Sequence, residues 1–191
     1  MIKVNYDQQT GNILGFYHDG ISYPYGIPIP YIEISDEQHM SIMEKQDMWK
    51  IIDNEPVDIS ATSEYLDMQN TLVLQEAKAK KIQENTDIYN SKLQGGILFN
   101  GNKFDCDDKS LLRLTAQLMD NQMTNRTEPI VWFDYGYSPQ VLSVSDFIEL
   151  QEKVKTFITN LEVINCETNI AIQNALSIED LNEIEIDYSG L

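Results

Sequence analysis

The sequence predicts an α+β fold: a small N-terminal β module, a long linking helix, and a C-terminal domain of short β-hairpins packed on two or three helices. Short apolar runs bounded by Gly, Pro and Asn lie near both ends of the chain and indicate hairpins. No Gly or Pro occurs from residue 63 to residue 94, which indicates a single helix. A second long apolar pattern of helical spacing follows residue 145. We therefore divide the chain into residues 1–60, 61–94 and 95–191.

Residues 1–60 read as a compact, mostly β module. Its strands are predicted over residues 2–6, 13–17, 32–34 and 49–52. Gly11 lies in the loop of the first hairpin, and Ser35 caps a short helix whose first turn is acidic. Asp53 to Pro56 supply the turn that follows the last strand.

An arm lies between the second and third strands of this module. Pro24, Pro28 and Pro30 forbid a central strand there and favour an extended, polyproline-like segment. Its large side chains are the candidate contacts to a partner protein. They are Tyr23, Tyr25, Ile27, Ile29 and Tyr31.

Residues 63–94 predict a helix of about 30 residues that Ser63 caps and Gly95-Gly96 ends. Apolar residues along it alternate three and four apart, which is the seam of a coiled coil. The candidate seam is Tyr65, Met68, Leu72, Ala79, Ile82, Tyr89 and Leu93, with Gln75 and Thr86 at the remaining positions. Two interpretations stay open: self-association through this seam, which we favour, or packing of the helix on its own C-terminal domain.

The C-terminal domain begins with two short strands that turn at Asn100-Gly101, a pair that supplies the positive φ angles of a tight hairpin. Asp107 or Asp108 caps a helix over residues 108–121. Strands over 130–133 and 141–144 then complete a sheet of four strands, and Ser145 caps a long helix. That helix carries a second seam: Phe147, Leu150, Val154, Phe157, Leu161, Ile164, Thr168, Ala171 and Ala175. Ser177 begins a short helix before the acidic tail 183–191.

The charge and the cysteine content exclude several function classes. The formal net charge of −18 opposes binding to nucleic acid or to an anionic membrane, because both need clustered Lys and Arg. No apolar run approaches the roughly 20 residues that span a bilayer, and the first residues lack a signal-peptide pattern, so we expect synthesis in a cytoplasm. Cys106 and Cys166 have no partner at metal-ligand spacing and suggest neither a disulfide framework nor a zinc site.

The residues suggest no catalytic centre, no metal site and no cofactor. His18 in a predicted turn and His39 on the short helix read as solvated surface residues. Asp105, Asp107 and Asp108 lack the glycine and the glutamate of a calcium loop and are better explained by helix capping. Trp132 and Phe133 alternate along a strand, so one faces the core and the other faces outward. We therefore expect that the protein is not an enzyme.

Residues 95–121 carry a family resemblance. Their double glycine, the Asn-Gly hairpin between Phe99 and Phe104, and the Asp-capped helix resemble the opening of the domain of unknown function 4376 of bacteriophage tail and tail-fibre proteins. The order of predicted elements extends the likeness over residues 95–188. The N-terminal part, a hairpin followed by Ile-Pro-x-Pro-Tyr-Ile, is loosely similar to tail-fibre assembly proteins.

The resemblance implies a non-enzymatic structural protein of the virion tail that contacts other tail, baseplate or fibre proteins. Fibre symmetry favours a homotrimer. A transient tail-fibre assembly chaperone is the alternative. The acidic composition also suggests a nucleic-acid mimic that inhibits a host enzyme, although the acids are scattered at both ends of the chain and the long helix is nearly neutral. A glycan-degrading enzyme ranks lower still, since no pair of carboxylates stands out.

Overall fold

A computed structural model describes all 191 residues, Met1–Leu191. It confirms the α+β class, with 52% of residues in helices and 20% in strands. The chain divides into two compact units, Met1–Val73 and Leu74–Leu191, where the sequence suggested three segments. The division falls inside the long helix α2, Ser63–Gly95, so this helix supplies residues to both units.

Unit 1, Met1–Val73, is built on a three-stranded antiparallel sheet. Its strands are β1 (Ile2–Tyr6), β2 (Ile13–His18) and β3 (Tyr31–Ile34), in the order β2-β1-β3. Alternate residues of β1 and β3 face a core that also receives Ile42 and Ile51. This alternation is the reason that the strand pattern was readable in the sequence.

The remaining elements of unit 1 close this core. Helix α1 (Asp36–Glu44) begins at the capping box of Ser35 and Gln38, as predicted. A short 3-10 turn then leads into β4 (Trp49–Ile52), which pairs with β5 (Glu55–Asp58). Asp53 and Asn54 both have positive φ, which suits the two-residue hairpin turn between these strands.

Gly11 joins the first hairpin to β4 through a close backbone approach. Its carbonyl accepts a hydrogen bond from the Ile51 amide at 2.8 Å. A Cβ at Gly11 would lie 2.6 Å from the Ile51 carbonyl oxygen, and the residue has φ of 73°. A side chain is therefore excluded at this position both sterically and by the backbone conformation.

Helix α2 begins one residue earlier than the predicted cap implies. The hydroxyl of Thr62, not that of Ser63, accepts a hydrogen bond from the Tyr65 amide at 3.3 Å, and Ser63 is the first helical residue. The helix ends at Gly95 as expected, and Gly96 follows with φ of 64°. A Cβ at Gly96 would collide with the carbonyl oxygen of Phe104, so the predicted stop signal also permits the next hairpin to pack closely.

Unit 2, Leu74–Leu191, contains two separate hairpins where the sequence suggested one four-stranded sheet. Strands β6 (Ile97–Phe99) and β7 (Asn102–Phe104) form the first hairpin, and β8 (Ile130–Phe133) and β9 (Pro139–Leu142) form the second. Asn100 and Gly101 have φ of 48° and 80°, which confirms the predicted tight turn. The four-strand prediction was wrong because each hairpin packs by its side chains on the helices and forms no ladder with the other.

Three helices complete unit 2. They are α3 (Asp108–Thr124), α4 (Val144–Asn174) and α5 (Ile178–Glu183). Asp107 caps α3 and Ser177 caps α5, as the sequence indicated. The cap of α4 is Ser143 and not Ser145: the Ser143 hydroxyl accepts from the Asp146 amide, and the Asp146 side chain accepts from the Ser143 amide.

The main core of unit 2 lies where the two hairpins meet α3 and α4. Phe99 and Phe104 come from the first hairpin, and Ile130 and Leu142 come from the second. Leu114 of α3 and four residues of α4 complete it, namely Phe147, Leu150, Val154 and Ile158. The predicted packing of the second seam on helix α3 is thus confirmed for the first half of α4. Ala175, at the end of that seam, lies instead in a cluster packed against α2.

Candidate interaction sites

The arm, residues 23–31, is held against β1 by one buried amide. The side-chain nitrogen of Asn5 donates hydrogen bonds to the carbonyl oxygens of Pro28 at 3.3 Å and Pro30 at 2.8 Å. Asn5 is only 6% exposed, so these bonds are shielded from competing water. The end of the arm that leads into β3 therefore has a fixed backbone path.

The arm contains a tight turn and is not extended throughout. The Gly26 amide donates to the Tyr23 carbonyl at 2.9 Å, which closes a β-turn with Pro24 and Tyr25 at its centre. The prediction of a continuous polyproline-like segment was wrong at this point, because Pro24 also suits the second position of a turn and Gly26 suits the fourth.

Five side chains of the arm were candidate contacts, and the structure separates them. Tyr25 is fully exposed at the turn and Ile29 is 83% exposed. Tyr23 instead packs edge-on against Tyr17, and its hydroxyl accepts from the His18 amide at 2.9 Å. Ile27 is half-buried. Tyr31 opens β3, where the Lys3 ammonium lies 5.2 Å from the centre of its ring.

The first half of the α2 seam lies in unit 1. Tyr65 is buried, and its hydroxyl donates to the Asp47 carboxylate at 2.8 Å, which raises the pKa of the phenol. Met68 and Leu72 remain 45% and 47% exposed. Tyr65 is therefore occupied within its own unit, whereas the next two seam residues face solvent.

The second half of the seam lies in unit 2 and is largely covered by the same chain. Ile82 packs with Leu74 and Ala77 against a cluster of Ile172, Ala175 and Leu181. Leu93 contacts the main core, Tyr89 is half-buried, and Ala79 is exposed. The side of α2 that faces α4 thus runs through Leu74, Ala77, Ile82 and Asn85, so it coincides with the predicted seam only in part.

Asn85 is the centre of this intrachain packing. It is fully buried, and its side-chain nitrogen lies 2.8 Å from the amide oxygen of Asn165 and 3.0 Å from that of Asn169. Its own amide oxygen accepts from the Tyr188 hydroxyl at 2.9 Å. A buried asparagine between helices fixes their register, because a slip of one turn would leave its amide unpaired.

The acidic tail is docked on α2 through Tyr188, which is 3% exposed. The Lys92 ammonium donates to the Tyr188 carbonyl at 2.9 Å. Burial raises the pKa of Tyr188 above its usual range. Sequence reasoning missed this contact, because a single tyrosine in a short acidic segment belongs to no repeating apolar pattern.

A cavity of about 970 Å³ opens within unit 1. Its lining includes Trp49, Asp47, Tyr65 and Asn12, together with Lys50 and Glu64, whose charged groups lie 3.8 Å apart. The Asp47 carboxylate is engaged by the Tyr65 hydroxyl. The cavity therefore offers an aromatic ring and polar groups for binding, without a nucleophile paired to a base.

The other polar candidates are explained by local structure. His18 ends β2, and His39 is half-buried with its ring 4.8 Å from that of Phe16 and 5.2 Å from that of His18. Of the two histidines predicted to be solvated at the surface, His18 is exposed, whereas His39 is only partly accessible. Asp107 caps α3, and no group of three or more His, Cys, Asp or Glu residues could hold a metal ion.

Cys106 and Cys166 differ in accessibility. Cys106 is buried, and burial raises the pKa of its thiol to about 12, so it stays protonated and unreactive at neutral pH. Cys166 is exposed on α4.

The alternation predicted for Trp132 and Phe133 is confirmed. The Trp132 ring packs 5.2 Å from Phe147 at the core, and Phe133 is 57% exposed.

The chain was compared with known proteins, and it matches no family model, no curated protein and no solved structure. None of its helices has both the length and the apolar character needed to cross a membrane.

Proposed function

We propose that this chain is a non-enzymatic structural protein of a bacteriophage tail or tail fibre, where it contacts other tail, baseplate or fibre proteins in the virion. The likeness of residues 95–188 to the phage tail domain supports the biological setting. The arm carries the proposed molecular role. Ile29 is exposed between Pro28 and Pro30, whose carbonyls Asn5 binds, and Tyr25 is exposed on the turn that the Tyr23–Gly26 hydrogen bond closes.

An exposed aromatic side chain on a fixed backbone is suited to binding a protein. Large apolar side chains dominate the binding energy of interfaces, and a backbone that is already ordered loses little entropy when a partner binds. The turn at Tyr23–Gly26 places Tyr25 at its tip, and Ile29 follows it within one short segment. The arm thus combines two anchors with a preformed shape.

Co-purification with the proteins encoded beside this chain tests the role of the arm. We expect the double substitution Tyr25→Ser and Ile29→Ser to weaken capture of a tail or fibre protein by at least about tenfold. Leu14→Ser is the matched control, because Leu14 is 65% exposed on β2 outside the arm. Equal capture by the arm variant and the wild type would exclude the arm as the docking site.

A tail-fibre assembly chaperone is the second candidate, and the sheet of unit 1 favours it. The order β2-β1-β3 leaves β3 at an edge, directly after the arm, where an extended segment of a client could add a strand. Mass spectrometry of purified virions separates the two functions. Stoichiometric peptides of this chain support a virion component, and their absence supports a chaperone that leaves after assembly.

Self-association belongs to the same proposal. Fibre symmetry favours a trimer, and the long α2 seam was its expected interface. Because α4 and α5 cover much of the second half of that seam, a coiled coil through α2 would have only Met68, Leu72 and Ala79 to use. Light scattering of the full chain decides between monomer, dimer and trimer.

A further inference from the structure

Helix α3 presents apolar residues on two opposite faces. On the inner face, Leu111, Leu114 and Leu118 contact the core of unit 2. On the outer face, Leu112, Met119 and Met123 are 70%, 60% and 84% exposed, and Ala116 is exposed between them. A helix on the surface of a domain needs only one apolar stripe to pack, so the outer stripe requires a separate explanation.

The outer stripe has the spacing of a helix-helix seam. Its residues 112, 116, 119 and 123 are separated by four, three and four positions, which keeps them on one face over about 16 Å of helix. Two of the four are methionines, whose flexible side chains adapt to irregular surfaces. The stripe is thus suited to another helix.

Two opposite charges lie on one flank of this stripe. Arg113 and Asp120 are seven residues apart, which is about two turns, so they lie on nearly the same side of α3. Neither forms an ion pair within the chain, whose ion pairs are limited to four other contacts. Both line a cavity of about 440 Å³ between α3 and the exposed ring of Phe133.

We propose that two copies of this chain associate through the outer faces of their α3 helices, which run antiparallel. When two identical helices pair in this way, the same flank of each helix faces the other and the chain direction is reversed. Arg113 of one copy then lies opposite the partner's Asp120, and the symmetry repeats this pair. The midpoint between residues 113 and 120 falls within the stripe, so the register that pairs the charges also covers the apolar residues.

The charges on the outer face of α3 are complementary to those of the same face in a second copy, so we identify the partner as a second copy of this chain. In a parallel pair, opposite flanks would meet and each Arg113 would face the flank that carries Thr115 and Gln122. Only the antiparallel arrangement forms two ion pairs, in which each Arg113 faces the Asp120 of the other copy. The cavity beside Phe133 also provides room for an apolar side chain from the partner helix. This inference is independent of the proposed tail function, which the virion and co-purification experiments test separately. It replaces the trimer that fibre symmetry favours with a two-fold dimer.

Charge reversal tests the arrangement. We expect the full chain to have twice the monomer mass in light scattering, and R113D or D120R alone to weaken association by at least about tenfold, because each places like charges opposite each other twice. R113D/D120R should associate again. Mixing the R113D and D120R chains should give a heterodimer, since one chain then carries two acids on the flank and the other carries two bases.

The controls separate this pairing from general effects of charge and folding. Lys155→Asp and Glu152→Arg make the same charge changes at exposed positions of α4 and should leave the mass unchanged. M68Q/L72Q should also leave it unchanged. A monomeric wild type would overturn the proposal. So would failure of the two reversed chains to pair when mixed, or equal weakening by the α4 controls. Recovery on mixing cannot arise from misfolding, so the test holds even if one variant loses stability.

Discussion

The first half of α2 leaves Met68 and Leu72 45% and 47% exposed, whereas the second half buries Asn85 completely. Both halves belong to one uninterrupted helix and carry the same three-four spacing of apolar residues. In the second half, residues of α4, α5 and the tail cover much of the helix surface. Asn85 is hydrogen-bonded there to Asn165 and Asn169 of α4 and to Tyr188 of the tail. A repeating pattern therefore shows which residues share a helix face without showing what covers it.

Among the substitutions that test the contrast between the two halves of α2, loss of the Asn85 amide should lower the free energy of unfolding most. Asn85→Ala removes the donor to Asn165 and Asn169 and the acceptor for Tyr188, and we expect the free energy of unfolding to fall by about 3 kcal/mol. Urea denaturation measures this change in the free energy of unfolding. Asn70→Ala, at an exposed position of the first half, is the control and should change it by less than about 0.5 kcal/mol. Similar effects of the two variants would remove the contrast between the halves.

Two neighbouring leucines offer a sharper comparison. Leu74 packs against the Ile172 cluster, and Leu72 is 47% exposed. Truncation of Leu74 to Ala removes buried contacts, so we expect a loss of about 2 kcal/mol, against less than about 0.5 kcal/mol for Leu72→Ala. Thermal and chemical unfolding of the Leu74→Ala and Leu72→Ala variants would measure the two losses of stability. A larger loss from Leu72→Ala would mean that the first half of α2 is covered in solution.

The tail contact should contribute less. Tyr188→Phe keeps the ring and deletes the hydroxyl that donates to Asn85, and we expect a loss of about 1 kcal/mol at neutral pH. Because burial raises the pKa of Tyr188 above the reference value of 10.0, the folded state retains this proton more strongly than the unfolded state. The stabilisation is therefore complete below pH 10 and is lost as pH rises through the folded-state pKa.

Unfolding measured as a function of pH distinguishes this contribution from general alkaline denaturation. The wild type should lose more stability above pH 10 than Tyr188→Phe does, because the variant lacks the titrating group. Parallel curves for the two proteins would show that the buried hydroxyl is not the group that titrates.

The smallest effect is expected in the first half of α2. M68Q/L72Q replaces two exposed side chains, so the free energy of unfolding should change by less than about 0.5 kcal/mol. We also expect no change in molar mass, because the α3 face is the proposed site of self-association. A fall in mass with unchanged stability would instead restore α2 as the oligomer interface.

Local signals in the sequence anticipated most of the elements. Asn100-Gly101 indicated a tight turn, Gly95-Gly96 ended α2, and Asp107 began α3, because positive φ angles and helix caps depend on a few adjacent residues. The Ser145 error has the same origin: Ser143 and Ser145 are both competent caps, and the choice depends on where β9 ends. The arm was located correctly, and its turn was missed because Pro24 suits both conformations.

The sequence by itself determined the α+β class, the long helices and the faces that their apolar residues share, because spacing, caps and turn residues act over a few positions. Tertiary structure decided which faces are covered. Asn85, Tyr188 and Leu74 have partners about 80 to 100 positions away, and no local pattern identifies such contacts. The outer face of α3 became recognisable only when its inner face had been assigned to the core, since both faces of that helix are apolar in the sequence.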